Sequence, residues 1–212
     1  MRYRRLVPTS FFVLITFLSY QNAHALFADA YITATLGTHE FSENSSTSDS
    51  AHSGWNAGGG FGGRAGISFS MLNIGAVVDY SYQAPYTVRK NRAIGSVDTD
   101  YKFTYNRLLL GGHLGLDLGI FTIFGEYYPT VTGNVIWHEV RDANPFRQDS
   151  AIRGNGWALG WGFRASIFYF GAVYRKVWLT QMNMRGTQTD LPSAEYSVIN
   201  TDEGAIQLGL TF

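Results

Sequence analysis

The last residues of the chain set a pattern that most of it repeats. Ile206, Leu208, Leu210 and Phe212 alternate with Ala205, Gln207, Gly209 and Thr211. A period of two belongs to a strand with one apolar face and one small or polar face. Trp157, Leu159, Trp161, Phe163, Ala165 and Ile167 alternate in the same way with Ala158, Gly160, Gly162, Arg164 and Ser166. Ile74, Ala76, Val78, Tyr80 and Tyr82 oppose Gly75, Val77, Asp79, Ser81 and Gln83. Phe61, Ala65, Ile67 and Phe69 oppose Gly60, Gly62, Arg64, Gly66 and Ser68. Phe121, Ile123 and Tyr127 oppose Thr122, Glu126 and Tyr128. The pattern predicts eight strands, over about 28–38, 56–69, 73–83, 100–116, 119–131, 154–167, 169–182 and 201–212. Several exceed the roughly five or six residues of a soluble strand. They match the ~9–11 residues of a tilted strand that crosses a bilayer.

The connections are asymmetric. Those near Ser70-Met71-Leu72, Asp117-Leu118 and Phe168 are very short. The others, about 39–55, 84–99, 132–153 and 183–200, are long and polar. Short and long links therefore fall at opposite ends of the strands, as in outer-membrane barrels. Residues 66–80, 115–127 and 165–174 read as three copies of one strand–turn–strand unit, with Gly75, Gly125 and Gly171 entering the second strand.

A helical membrane protein is the rival fold, because Leu108 to Gly125 is a mostly apolar run. That run holds His113, Asp117 and five glycines, Gly111, Gly112, Gly115, Gly119 and Gly125. A central Asp costs about 2.5–3.5 kcal/mol in a spanning helix. A barrel turns the same groups toward its axis and avoids most of that cost. The expected fold is all-β: an eight-stranded antiparallel transmembrane up-and-down β-barrel, with short periplasmic turns and long extracellular loops.

The first residues read as an export signal. Arg2, Arg4 and Arg5 precede the apolar run Phe11-Phe12-Val13-Leu14-Ile15-Thr16-Phe17-Leu18, and Ala23-His24-Ala25 is a small-x-small cleavage site. The run is too short for a membrane anchor, which needs about 20 apolar residues. Residues 1–25 are thus expected to be a cleaved signal peptide and 26–212 the barrel domain. Composition fits an envelope protein: 45% hydrophobic, 16% aromatic and only 15% charged over 212 residues. Lys+Arg and Asp+Glu both number 16, so there is no basic excess for nucleic acid. With no Cys, disulfides, thiol nucleophiles and Cys-based metal sites are excluded.

Parity points Arg64, Asp79, Glu126, Arg164, Glu203 and Gln207 into the lumen, and Arg107, His113, Asp117 and Arg175 join them. An eight-stranded barrel is just wide enough for side chains to fill. The mixed charges suggest either an ion path or a salt-bridged plug. The plug is favoured, because an unpaired buried charge is costly. Parity fails twice. Arg175 and Lys176 are adjacent, so Lys176 is expected to snorkel outward to the headgroups. Tyr101, Phe103 and Tyr105 lie on the opposite parity to Leu108 and Leu110, which suggests a bulge near Arg107 in strand four. Trp55, Tyr80, Tyr82, Tyr101, Tyr105, Tyr127, Tyr128, Trp137, Trp157 and Trp178 gather beside the long loops, as in an interfacial aromatic belt.

Catalytic motifs are missing. The chain has no nucleophile elbow, no phosphate-cradling loop and no zinc-spaced His pair. The run Gly58-Gly59-Gly60 lacks a P-loop lysine and reads as close packing or a bend. His113 and Asp117 lie about 13 Å apart along one strand face and form no dyad. His39, Glu40, Glu43, Asp49 and His52 are a weak candidate for a divalent cation site, and no cofactor is expected. The loops are the other candidate site: 39–55; 84–99 with Arg89, Lys90 and Arg92; and 138–153 with Glu139, Arg141, Asp142, Arg147, Asp149 and Arg153. They suit lipopolysaccharide phosphates, a host surface or another protein, or they simply cap the rim.

With its export signal, eight alternating strands and terminal Ile-x-Leu-x-Leu-x-Phe, the chain resembles the small outer-membrane barrels of OmpA and OmpX type. The resemblance implies that Ile206, Leu208, Leu210 and Phe212 form a C-terminal signal read by the barrel-assembly machinery, after escort by periplasmic chaperones. It implies residence among outer-membrane lipids and lipopolysaccharide. It carries over no peptidoglycan-binding function, since no further domain follows. The expected function is a non-enzymatic scaffold whose surface loops serve adhesion or ligand binding. A narrow pore is the alternative. A lipid A-modifying enzyme is a third reading, weakened because that group's His-x-Ser spacing is absent and His52-Ser53 are adjacent.

Overall fold

Three two-residue turns share one geometry. Ser70, Gly119 and Ser166 take φ of 57°, 81° and 58°, and each is followed by an apolar residue, Met71, Ile120 or Ile167. A positive φ at the first turn position matches the right-handed twist of the strands it joins. The three-copy repeat in the sequence is thus a repeat of turn geometry. The turns lie at Gly119-Ile120 and Ser166-Ile167, two residues from the expected Asp117-Leu118 and just before the expected Phe168. The apolar tips Ile120 and Ile167 had extended the strand pattern through them.

The computed structural model describes residues 25–45, 48–85, 89–90, 102–139, 150–184, 187–190 and 196–212. The expected signal residues 1–24 lie outside them. Eight strands form the wall: β1 Ala25–Ser45, β2 Ser48–Phe69, β3 Leu72–Pro85, β4 Lys102–Leu118, β5 Phe121–Glu139, β6 Ser150–Ala165, β7 Phe168–Met184 and β8 Tyr196–Thr211. Each pairs antiparallel with the next. β8 returns to pair with β1 from Asp29↔Thr211 to Glu43↔Tyr196, which closes the barrel. Two short strands, Arg89–Lys90 and Thr187–Asp190, add to β2 and β7. No described residue is helical.

The strands run beyond the alternating segments. β1 and β2 stay paired up to Ser45↔Ser48, so the expected loop 39–55 is mostly a two-stranded extension. Backbone pairing needs no apolar face once the strands leave the belt, and a Ser- and Asn-rich ladder carries no hydrophobic period.

The phase slip exists, but not where it was expected. β4 keeps one parity throughout, with Tyr105, Arg107, Leu109 and His113 all inside. Tyr105 therefore belongs to the lumen. The register shifts instead where Leu110 and Gly112 of β4 meet Thr130 and Tyr127 of β5, and again between Tyr128 and Val131 against β6. The extra residue sits in β5 at Pro129-Thr130. Proline has no N–H for the ladder and is tolerated at such bulges. Inward positions in β5 accordingly change from Phe124, Glu126 and Tyr128 to Val131 and Val135.

The outside is an apolar belt in which Ile32, Phe61, Ile74, Leu114, Ile123, Leu159 and Leu208 are all exposed. Inside, Val77, Leu109, Phe124, Tyr128, Val131, Val173 and Val177 form an apolar cluster among the buried residues. Glycines make room for rings in so narrow a space. A Cβ on Gly160 would lie 2.5 Å from the Phe124 ring, and one on Gly162 would lie 2.5 Å from the Tyr169 ring.

Candidate functional site

The lumen holds the densest chemistry among the described residues. Parity brings four arginines, Arg64, Arg107, Arg164 and Arg175, and five carboxylates, Asp29, Asp79, Asp117, Glu126 and Glu203, onto inward positions. Closure of the sheet then decides which meet. They form layers along the axis.

Nearest the short turns, Arg164 Nη1 donates to Asp117 Oδ1 at 2.9 Å and Oδ2 at 3.0 Å, and its Nη2 donates to Asp29 Oδ2 at 3.0 Å. Asn73 Nδ2 donates to Asp117 Oδ2 at 2.7 Å, and Thr122 adds a further donor. This layer is half-open: the Asp117 side chain is 28% exposed.

Above it, Arg64 is 2% exposed and every nitrogen has a partner. Nε donates to Glu126 Oε1 at 2.5 Å, Nη1 to Tyr169 Oη at 3.1 Å and Nη2 to Gln207 Oε1 at 2.8 Å. Its guanidinium lies 4.2 Å from the Phe124 ring centre and 4.5 Å from that of Tyr31. Glu126 also accepts from Tyr128 Oη and faces His113 Nδ1 at 3.2 Å.

The next layer joins Arg175 Nη2 to Asp79 Oδ2 at 2.8 Å, with Tyr31 Oη at 3.4 Å from the same oxygen. The layer above joins Arg107 Nη2 to Glu203 Oε2, Nε to Ser81 Oγ at 3.0 Å and Nη1 to Thr201 Oγ1 at 2.8 Å. Asn56 Nδ2 closes the top by donating to Gln83 Oε1 at 2.8 Å and to Tyr105 Oη. Several buried polar atoms have no partner here, including Arg175 Nε and Nη1, Asp79 Oδ1 and Glu203 Oε1.

All ten sequence-selected lumen residues thus face the axis, and all ten belong to these layers. The sequence reading missed Asp29, and with it the lumen-lining Tyr31 and Tyr169. β1 alternates on Ala28, Ala30 and Ala34, which are too small to stand out as an apolar face. Two aromatics expected at the interface are inside: Tyr105 and Tyr128, which use their hydroxyls in the network. Lys176 does face outward, 3.2 Å from Asp202 and 5.9 Å from the Trp178 ring centre. Ile206, Leu208, Leu210 and Phe212 face outward in β8 and just beyond it.

No group of three or more His, Asp or Glu able to hold a metal occurs among the described residues. Of the candidate cation cluster, His39 is buried in the wall; the side chains of Glu40, Glu43, Asp49 and His52 lie outside those described, as do those of Arg89, Lys90, Arg92, Glu139, Arg141, Asp142, Arg147 and Asp149 in the loops. Arg153 is exposed on β6.

No protein-family model matches this sequence, and no curated protein is detectably similar to it in sequence. Solved structures are similar in shape. Neisserial surface protein A is 14% identical with a TM-score of 0.48, over 87% of this chain and 97% of that one. Ail, the attachment invasion locus protein of Yersinia pestis, solved with the heparin analogue sucrose octasulfate, is 9% identical with a TM-score of 0.46, over 87% and 99%. The outer membrane protein OprG from Pseudomonas aeruginosa is 12% identical with a TM-score of 0.45, over 90% and 96%. The architecture of this chain is defined by its own strand pairing: a closed, all-antiparallel, eight-stranded up-and-down barrel.

Proposed function

We propose that the protein is an integral barrel of the bacterial outer membrane that acts as a non-enzymatic scaffold, displaying paired-strand extensions and loops to a ligand or partner outside the cell. One observation carries this reading: the charges face the axis and the hydrocarbon side chains face out. Among the described residues of the belt, every Arg, Asp and Glu points inward and is cross-paired, apart from the outward pair Lys176–Asp202 at its upper edge. Water would favour the opposite arrangement. Lipid demands this one, with every backbone group paired in a closed sheet.

The scaffold reading also rests on how fully Glu126 is occupied. It accepts from Arg64, Tyr128 and His113. Both of its oxygens are engaged by the protein's own side chains, so it is not presented to a substrate. Insertion would use the outward Ile206, Leu208, Leu210 and Phe212 as the strand presented to the assembly machinery, and lipopolysaccharide would surround the upper rim.

A narrow pore is the second reading. It is favoured by the unpartnered polar atoms of Arg175, Asp79 and Glu203, because ordered water commonly satisfies such groups.

The decisive sample is protein in envelope fractions, run on gels before and after boiling. A folded barrel stays in the membrane pellet and changes mobility on heating, whereas a carbonate-extractable chain with one mobility sinks the proposal. In planar bilayers the scaffold is silent across applied voltage, and steady conductance transfers the assignment to the pore. Lipid A mass spectra are expected not to change on expression. Removing the β1–β2 extension is expected to abolish ligand adhesion while heat modifiability persists.

A further inference from the structure

The end of the barrel that carries the short turns presents apolar side chains at its tips, with Ser70 and Ser166 beside them and the half-open Asp117–Arg164 layer inside. At the three tips, Met71, Ile120 and Ile167 are 40%, 54% and 53% exposed. Each turn is flanked by an outward phenylalanine: Phe69, Phe121 and Phe168. Most outward Tyr and Trp, which favour the wet edge of a bilayer because they carry a polar atom, lie toward the other end, at Trp55, Tyr82, Tyr127 and Tyr174, with Trp161 between the two ends. The charges near the turns, Asp117 and Arg164, point inward and bind each other.

Each turn also pairs the carbonyl of its tip residue. The carbonyl of Met71 accepts from Asp117 N at 2.7 Å, that of Ile120 from Arg164 N at 2.8 Å and that of Ile167 from Thr211 N at 2.9 Å. Each tip is thus bonded to the strand beyond its own hairpin, β4, β6 or β8, and a tip carbonyl that in most turns would face water is already satisfied. Paired backbone is the condition for entering hydrocarbon.

The dimensions agree. From Trp157 to Ile167 the chain takes about ten steps of ~3.3 Å. At a strand tilt of about 40°, that is a height of about 25 Å, roughly the whole lipid-facing band of a barrel. If the upper aromatic residues mark one edge of the hydrocarbon, the turn tips lie at the other edge.

We infer that the three short turns are seated in lipid, with Met71, Ile120 and Ile167 inserted at the acyl boundary of the facing leaflet instead of projecting into water. The occupant of this apolar end is the bilayer itself, because the surface continues the apolar belt without a break. The inference rests on the membrane reading above and adds a depth to it. The inward Asp117–Arg164 layer is then the polar mouth at that end, ringed by lipid-inserted turns.

The natural chain has no cysteine, so single spin labels can be placed without background. Met71→Cys, Ile120→Cys and Ile167→Cys are made in the full chain and refolded into phospholipid vesicles. Leu114→Cys serves as the mid-belt reference and Asp190→Cys as the exposed reference. Heat modifiability confirms folding of each variant. Collision with oxygen, which concentrates in lipid, is compared with collision with a water-soluble nickel chelate.

The three tips are expected to favour oxygen over nickel several-fold more than Asp190→Cys does, approaching Leu114→Cys. If the tips match Asp190→Cys while Leu114→Cys favours oxygen, the turns stand in water and the inference is overturned, although the barrel remains in the membrane. If Leu114→Cys also behaves as aqueous, the membrane reading fails first. Tips shielded from both colliders overturn the inference in favour of a second copy as the cover.

Discussion

Arg64 and Arg175 are both buried arginines on inward positions of the same barrel, yet their surroundings differ. Arg64 uses three nitrogens on three partners and is enclosed by the rings of Tyr31 and Phe124. Arg175 makes one hydrogen bond, to Asp79, and leaves Nε and Nη1 without a partner. Burial alone therefore says little about what a charge does for the fold. A saturated guanidinium in an aromatic sandwich fixes geometry, because its planar fork accepts only one arrangement of acceptors. A singly bonded one tolerates change and leaves polar atoms for water to satisfy.

The sharpest way to break this contrast is to remove one charge. Arg64→Ala leaves Glu126 buried opposite only His113 and Tyr128, and is expected to destabilise the barrel by about 3–5 kcal/mol. Urea unfolding in detergent micelles, followed by mobility on gels, measures it. The double change Arg64→Met with Glu126→Leu is expected to return most of that stability, because a buried ion pair often gains little over apolar residues of similar size. A double variant no more stable than the single one would show that the tyrosines and Gln207 depend on the ions themselves.

A milder pair of changes compares the two layers directly. Arg64→Lys keeps one charge-assisted bond and loses two, each worth about 1.5–3 kcal/mol. Arg175→Lys can keep the only bond Arg175 makes and is expected to cost less than about 1 kcal/mol. Equal losses in the same unfolding series would contradict the difference between the layers.

Smaller still is a steric test of the sandwich. Gly160→Ala places a Cβ 2.5 Å from the Phe124 ring and 2.8 Å from the Ala172 carbonyl. Overpacking of this kind costs about 1–3 kcal/mol. Gly112→Ala has only the Gly75 carbonyl within 4.0 Å and is expected to be near neutral. Thermal loss of heat modifiability ranks the two variants.

The weakest interaction is at the upper edge. Lys176 and Asp202 are about a third exposed, and such pairs contribute roughly 0–1 kcal/mol and fade with salt. Lys176→Met is expected to leave the unfolding midpoint almost unchanged at high ionic strength. A loss comparable to that of Arg64→Ala would mean that the pair lies deeper in lipid than its exposure suggests.

Much of this was legible in the chain, for a specific reason. Along a strand the side-chain direction has a period of two, so Ile74, Val78 and Ile206 announce the outer side, and Asp79 and Gln207 are thereby assigned to the interior. The reading weakened where no large apolar residue marked the face. Alanines in β1 concealed Asp29, and polar residues in the β1–β2 extension concealed its ladder. It misled at Tyr105 and Tyr128, since a tyrosine suits both a membrane edge and a hydrogen-bonded interior. Pro129 was the local sign of the bulge in β5, but a proline also reads as the end of a strand.

The sequence by itself determined which side of the wall the residues of the clearly alternating segments face, because that follows from local backbone geometry. It determined the three tight turns for the same reason, within two residues. Only the tertiary structure decided which charges meet. Arg64 reaches Glu126 across 62 positions and Gln207 across 143. Those distances depend on the stagger with which β8 closes on β1, a property of the whole sheet that no single strand contains.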